Sequence, residues 1–136
     1  MRPPPAKKRA IGWREWVSLP ELNIAAIKAK VDTGARSSAL HAYDVHEFTS
    51  DAGSMVRFRV HPIQRDTSMT IEAVAPLMEH RVVRNPGRGG REELRPVITT
   101  TIELNGERWP IELTLTRRDA MGFRMLLGRQ AVRGRF

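Results

Sequence analysis

The chain of 136 residues contains no cysteine. That rules out a disulfide framework and any zinc site built on thiolates. Aromatic residues are scarce at 6%, and Tyr43 is the single tyrosine. Binding nucleic acid through stacked bases wants aromatics interleaved with cations on one surface. Here the Phe residues fall mostly at apolar strand positions. No apolar run approaches the length of a membrane span, and the N-terminal segment has no apolar stretch of the signal-peptide kind. A cytoplasmic location is therefore expected. Helical periodicity is almost absent, and nothing repeats at a solenoid or propeller period.

Several chemistries lack their motifs. There is no His-Glu-x-x-His: His46-Glu47 is followed by Phe48-Thr49-Ser50. His41, His46, His61 and His80 are scattered over strand segments and read as surface or packing residues. A site assembled by folding from His and Asp side chains is the one metal arrangement the spacing leaves open. The glycine-rich run from Asn85 to Arg91 lacks the Gly-Lys-Ser/Thr of a phosphate loop, and no helical pattern follows it. No serine nucleophile elbow is present. The expectation is a protein with no metal and no cofactor.

What is abundant is positive charge. Lys and Arg number 23 against 15 Asp and Glu, a formal net charge of +8. Four of those cations, Arg2, Lys7, Lys8 and Arg9, lie in a proline-rich tail over residues 1–10, expected to be disordered. About +4 remains for residues 11–136, the expected single folded domain, where Arg greatly outnumbers Lys. Arginine suits planar recognition of carboxylates and phosphates, so an acidic partner fits, as does a simply solvated basic surface.

The folded part reads as many short strands. Ile11–Val17 alternates imperfectly, and Trp13 and Trp16 in it read as core or rim packing. Ser18–Asn23 is a turn punctuated by Pro20. From Ile24 to Val31, Ile27, Ala29 and Val31 share one face and Lys28 and Lys30 the other. Ser38–Phe48, Met55–His61 and Met69–Ala75 follow as further strands. Arg81–Arg84 enters the glycine-rich loop, which reads as the tip of a hairpin returning along Leu94–Leu104. Asn105-Gly106 is the strongest hairpin signal, and Arg108–Thr116 is its second arm. Pro110 marks an edge or bulge. Phe123–Leu127 is a short buried strand and Arg129–Val132 a brief helix. This pattern predicts an all-β barrel or sandwich.

The Ile24–Val31 strand delivers Asp32-Thr33-Gly34 to a strand end. Such a triplet occurs in ordinary turns, but Asp32 can also serve as acid, base or ligand. An Asp-Thr-Gly-Ala turn, a glycine-tipped hairpin, an Asn-Gly hairpin and then Leu126-Leu127-Gly128-Arg129 form an ordered set. It resembles the retropepsin-type aspartic peptidases. Ile11–Pro20, Lys30–Arg36, Ser38–His41 and Arg124–Arg129 look more closely like one bacterial family, labelled ATP-dependent zinc protease and now grouped with retropepsin-like peptidases. Some of its members are associated with ligases that add glutamate tails to a protein.

The resemblance implies a closed retropepsin-like barrel with one short C-terminal helix, and peptide hydrolysis without zinc or ATP. It implies Asp32, Thr33 and Gly34 as the catalytic turn. The flap would be Asn85, Gly87, Gly89 and Gly90, and Leu126, Leu127, Gly128 and Arg129 would support the turn. Ala35, Arg36, Arg84, Arg88 and Arg91 would meet substrate, and His41 would stand behind the turn as a hydrogen-bonding or packed residue. Two carboxylates sharing a proton are needed, and the chain has one Asp-Thr-Gly, so a symmetric homodimer with Asp32 from each copy is implied. In retropepsins the terminal strands build much of that interface, and relatives usually continue into another strand, so a chain ending at Phe136 could be monomeric and inactive in isolation. The arginines point to acidic, glutamate-rich peptides or tails as partner. Arg36 could instead pair within the chain with Glu15 or Asp44. The alternatives in function are a non-catalytic module binding acidic tails and a basic binder of RNA or the ribosome surface.

Overall fold

The computed structural model describes residues 11–63, 68–85, 91–117 and 123–135. The proposed tail and the hairpin-tip residues Gly87, Arg88, Gly89 and Gly90 lie outside them. Asn85 and Arg91 are described in their backbone only.

In chain order the elements are β1 (Arg14–Leu19), a 3-10 turn (Pro20–Leu22), β2 (Ile24–Asp32), β3 (Ser38–His41), β4 (Tyr43–Ser50) and β5 (Gly53–Val60). Then come β6 (Ile71–Asn85), β7 (Arg91–Leu104), β8 (Glu107–Thr116), β9 (Met125–Gly128) and a single-turn helix α1 (Arg129–Val132). Strands β1, β2, β9, β3, β8 and β7 follow one another side by side, and β7 returns to β1 through Ser18 and Glu103. The result is a closed six-strand barrel, and β6, β5 and β4 continue outward from β7. This is the all-β barrel that the sequence predicts. No helix among the described residues is long and apolar enough to cross a membrane.

The barrel interior follows from strand alternation. On β8, Trp109, Ile111, Leu113 and Leu115 are buried, and on β2 Ile24, Ile27 and Ala29. Val56, Phe58, Val60, Ala73 and Ala75 from β5 and β6 join the same core. A fully buried Leu or Ile contributes about 1.5–3 kcal/mol relative to an exposed one.

Three local features depart from simple alternation. The run from Ser38 to Phe48 divides at Ala42, whose N–H leaves the strand to bond Thr116 O at 2.8 Å. Strand β6 runs unbroken past Pro76, although the sequence suggests two separate segments. Pro76 holds its last register position with β5 and Leu77 the first with β7. The strand changes partner where it has no N–H to give, and a bulge between Leu77 and Glu79 absorbs the bend. Trp13 and Trp16 are not core residues: they are 61% and 60% exposed. Trp13 meets Phe123 edge to face, and Arg14 and Lys28 lie over the two indoles.

Pro110 opposes Thr101 on β7, while β3 pairs with β8 only from Leu113 onward. It thus occupies the stretch of β8 that β3 leaves uncovered. Asn105 and Gly106 join β7 to β8 with φ of +52° and +79°, the two positive values of a tight hairpin turn. A Cβ at Gly106 would meet nothing within 4 Å. Gly106→Ala is therefore expected to cost about 1 kcal/mol from backbone strain alone, read as a lower urea midpoint with unchanged slope.

Candidate active site

The site begins where β2 ends. Strand β9 runs parallel to β2 and sets Val31 beside Leu127 and Asp32 beside Gly128. Past Asp32 the chain turns: Ala35 N–H donates to Asp32 O at 3.1 Å, and Gly34 N–H to the Asp32 carboxylate Oδ1 at 3.0 Å. A Cβ on Gly34 would stand 3.1 Å from that oxygen, so glycine keeps the carboxylate in place. Asp32 is half-buried and Thr33 is exposed.

The turn is held from β9 and α1. Gly128 N–H donates to Ser38 Oγ at 3.0 Å. Arg129 and Gln130 N–H donate to Ala35 O and Arg36 O at 2.8 and 3.3 Å, and Arg129 Nη1 reaches Gly34 O at 3.5 Å. The first amides of α1, which have no partner inside the helix, thus hold the loop after Asp32. Leu127 is fully buried below the strand end, whereas Leu126 is half-buried and lines a cleft.

That cleft has a volume of about 1150 Å³. Asp32, Gly34, Ala35, Arg36 and His41 line one side, and Arg81, Val82, Val83 and Arg84 from the outgoing arm of the β6–β7 hairpin line another. The fold therefore brings together the Asp32 turn, Arg36, Arg84, His41 and Leu126. It places Leu127 and Arg129 outside the cleft lining, and Gly128 packs tightly against the loop. Glu15 accepts from Gly12 N–H and Asp44 pairs with Arg59, so neither binds Arg36. His41 Nδ1 lies 3.2 Å from Arg124 Nη1.

Residues that sequence reasoning passed over complete the lining. Arg95 is buried, donates to Glu93 at 3.1 Å and reaches Thr114 Oγ1 at 3.4 Å. Thr114 Oγ1 donates to Ser38 O. Arg81 is bound by Glu79 and Glu112, and the Glu79 contact, foremost, raises its guanidinium pKa further, against the lowering effect of burial. Among the described residues of the cleft lining, Arg36, Arg81, Arg84, Arg95 and Arg124 stand against two carboxylates, Asp32 and Glu112. The only signal in the sequence is the placing of Arg81 and Arg95 on either side of the glycine-rich tip. Among the described residues no three His, Asp or Glu side chains converge as metal ligands would.

A closed barrel with an Asp-Thr-Gly turn supported by a parallel strand, and a hairpin arm lining the same cleft, is a retropepsin-like fold. The chain belongs to the RimB-like family, described as retropepsin-like aspartic endopeptidase RimB, whose model matches residues 10–136. Among curated proteins it is 50% identical over 129 residues to a probable alpha-L-glutamate ligase of Parasynechococcus marenigrum, covering 95% of this chain. It is 47% identical over 128 residues to one from Desulfotalea psychrophila, covering 94% of this chain. The chain spans 27% of the length of each relative. Among solved structures, a Legionella pneumophila protein of unknown function, Lpg0085, superposes with a TM-score of 0.72 at 28% identity. That likeness covers 89% of this chain and 84% of the other.

Proposed function

We propose that this chain is an aspartic-type peptidase whose dyad is formed by Asp32 of two copies, and that it acts on acidic, glutamate-rich peptides or tails. One observation carries the reading: Asp32, its carboxylate held by Gly34 N–H, lines the cleft that the hairpin arm also lines. Among the described residues the lining supplies one other carboxylate, and Glu112 is already engaged by Arg81. A second Asp32 is the natural partner, since the sequence holds a single Asp-Thr-Gly.

In such a pair one carboxyl keeps its proton and the other is ionised, because two like charges about 3 Å apart do not both ionise readily. The ionised carboxylate takes a proton from water as it attacks the scissile carbonyl. The protonated one donates to the carbonyl oxygen, giving a gem-diol; as the C–N bond breaks, the proton taken from water passes to the leaving amine and a gem-diol hydroxyl returns its proton to the other carboxylate. Exposed Thr33 stands beside the dyad, where its hydroxyl can reach the facing turn. Arg36 and Arg84, with no ion-pair partner among the described residues, supply the positive field for an acidic chain.

The glutamate preference is further supported by the names of the relatives, which are glutamate ligases. The test is incubation with oligoglutamate and oligoglutamine peptides, products read by mass spectrometry. Cleavage of oligoglutamate alone is the expected result. Binding without cleavage by protein shown to be dimeric would support a tail-binding module instead.

A further inference from the structure

Two arginines stand opposite each other at the root of the hairpin. Arg81 on β6 and Arg95 on β7 are register partners, and both line the cleft. Like charges facing across a ladder repel, so the pair needs carboxylates. Arg95 has its own: Nε and Nη2 both lie 3.1 Å from Glu93. Arg81 is served differently. Its Nη2 donates both to Glu79 and, at 3.2 Å, to Glu112 on β8. Its Nε and Nη1 meet no partner among the described residues.

Either planar fork of a guanidinium uses Nη2, together with Nε or with Nη1. An incoming carboxylate can therefore grip Arg81 with both oxygens only if one resident carboxylate leaves Nη2. Glu79 lies two residues away on the same strand, and its hydrogen bond is the largest single cause of the raised guanidinium pKa. Glu112 reaches across from β8, and the two side chains of that pair are 27% and 38% exposed. Ion pairs so open to water contribute about 0.2–1 kcal/mol, so this one exchanges readily. Glu112 also has somewhere to go. It lines a second cavity of about 460 Å³ along with Arg81, Gln130 and Arg133. Arg81 and Glu112, with Ser37 and Gln130, line both that cavity and the cleft.

We infer that this pair is a carboxylate-exchange subsite: an acidic side chain of a peptide in the cleft takes the place of Glu112 on Arg81, and Glu112 turns toward the second cavity. The inference rests on the acidic-peptide reading of the cleft and names the residues that select for it. Glu112 acts as an internal competitor. A neutral side chain has no charge with which to displace it, so the subsite favours carboxylates beyond what the general positive field supplies.

Binding is measured in the full chain carrying Asp32→Asn, so that peptide is not consumed, using fluorescence anisotropy of labelled oligoglutamate and oligoglutamine. Adding Glu112→Gln removes the competitor and is expected to tighten oligoglutamate binding about fivefold. A gain of affinity cannot arise from misfolding. Adding Arg81→Gln is expected to weaken it about tenfold. Glu72→Gln, which removes the same charge from a carboxylate paired to Arg57 and Arg59 outside the cleft, leaves affinity unchanged. Oligoglutamine binding does not respond to any of the three. Unchanged or weaker oligoglutamate binding in Glu112→Gln overturns the inference, and so does an equal gain in Glu72→Gln. The peptidase reading fails separately: a wild-type chain that cleaves nothing, yet shows the Glu112→Gln gain, keeps the subsite and loses the catalysis.

Discussion

Replacing Asp32 with asparagine is expected to lower the turnover of oligoglutamate by at least about 10³-fold, since it removes both the base and the acid of the proposed dyad. The fold should not register the change. An amide oxygen can accept from Gly34 N–H as the carboxylate does at 3.0 Å, and Asp32 is only half-buried. The stability of Asp32→Asn should therefore stay within about 0.5 kcal/mol of wild type. Initial rates on the labelled peptide, set beside thermal denaturation, separate the two effects. A variant that keeps a tenth or more of wild-type turnover would place the chemistry on some other group.

Gly128→Ala is expected to damage both stability and activity, through backbone rather than charge. A Cβ there would fall 2.5 Å from Ser37 O, 2.6 Å from its carbonyl carbon and 2.9 Å from Ala35 O. No side chain can rotate away to relieve this, because every near atom is main chain. The loop after Asp32 must move off β9, against the bonds from Arg129 and Gln130 N–H to Ala35 O and Arg36 O. Overpacking of this kind costs about 3 kcal/mol. A displacement of about 1 Å at a catalytic group can cost about 10²-fold in rate. Calorimetry and the turnover of the folded fraction measure the two. A melting temperature equal to that of wild type would mean the close approach of β9 to the loop is wrong.

Some of this was legible in the sequence, for definite reasons. Strand β2 announces itself because Ile27 and Ala29 alternate with Lys28 and Lys30, and the barrel wall buries one set. Asn105-Gly106 marks a turn because so few residue pairs accept two positive φ angles. The helix at Arg129–Val132 stands where the sequence places it. The continuity of β6 was hidden because the strand reading stops at Ala75 and resumes at Arg81; Pro76 between them is harmless only because the strand exchanges β5 for β7 there.

At the site, the Asp32 turn was legible as a motif because it is local. The carboxylate partners of Arg81 were not, since Glu112, 31 residues away, is brought to it because β6 and β8 both pair with β7. Gly128 reads in sequence as part of a supporting segment. Its strict need for glycine comes from the approach of Ser37 O, a contact no spacing rule encodes. Of the core-or-rim reading of Trp13 and Trp16 the core half fails: large aromatics usually mean burial, whereas these two are mostly exposed beside Arg14 and Lys28.

The proposed half-site is tested most directly by mixing. Wild-type chain is diluted with a large excess of Asp32→Asn chain and allowed to re-equilibrate, and turnover per wild-type chain is measured. With a dyad shared between copies, a ninefold excess leaves about a tenth of wild-type chains paired with another intact Asp32, and turnover per chain falls accordingly. Turnover per wild-type chain that does not change with added Asp32→Asn would contradict the shared dyad and place the complete site within one copy.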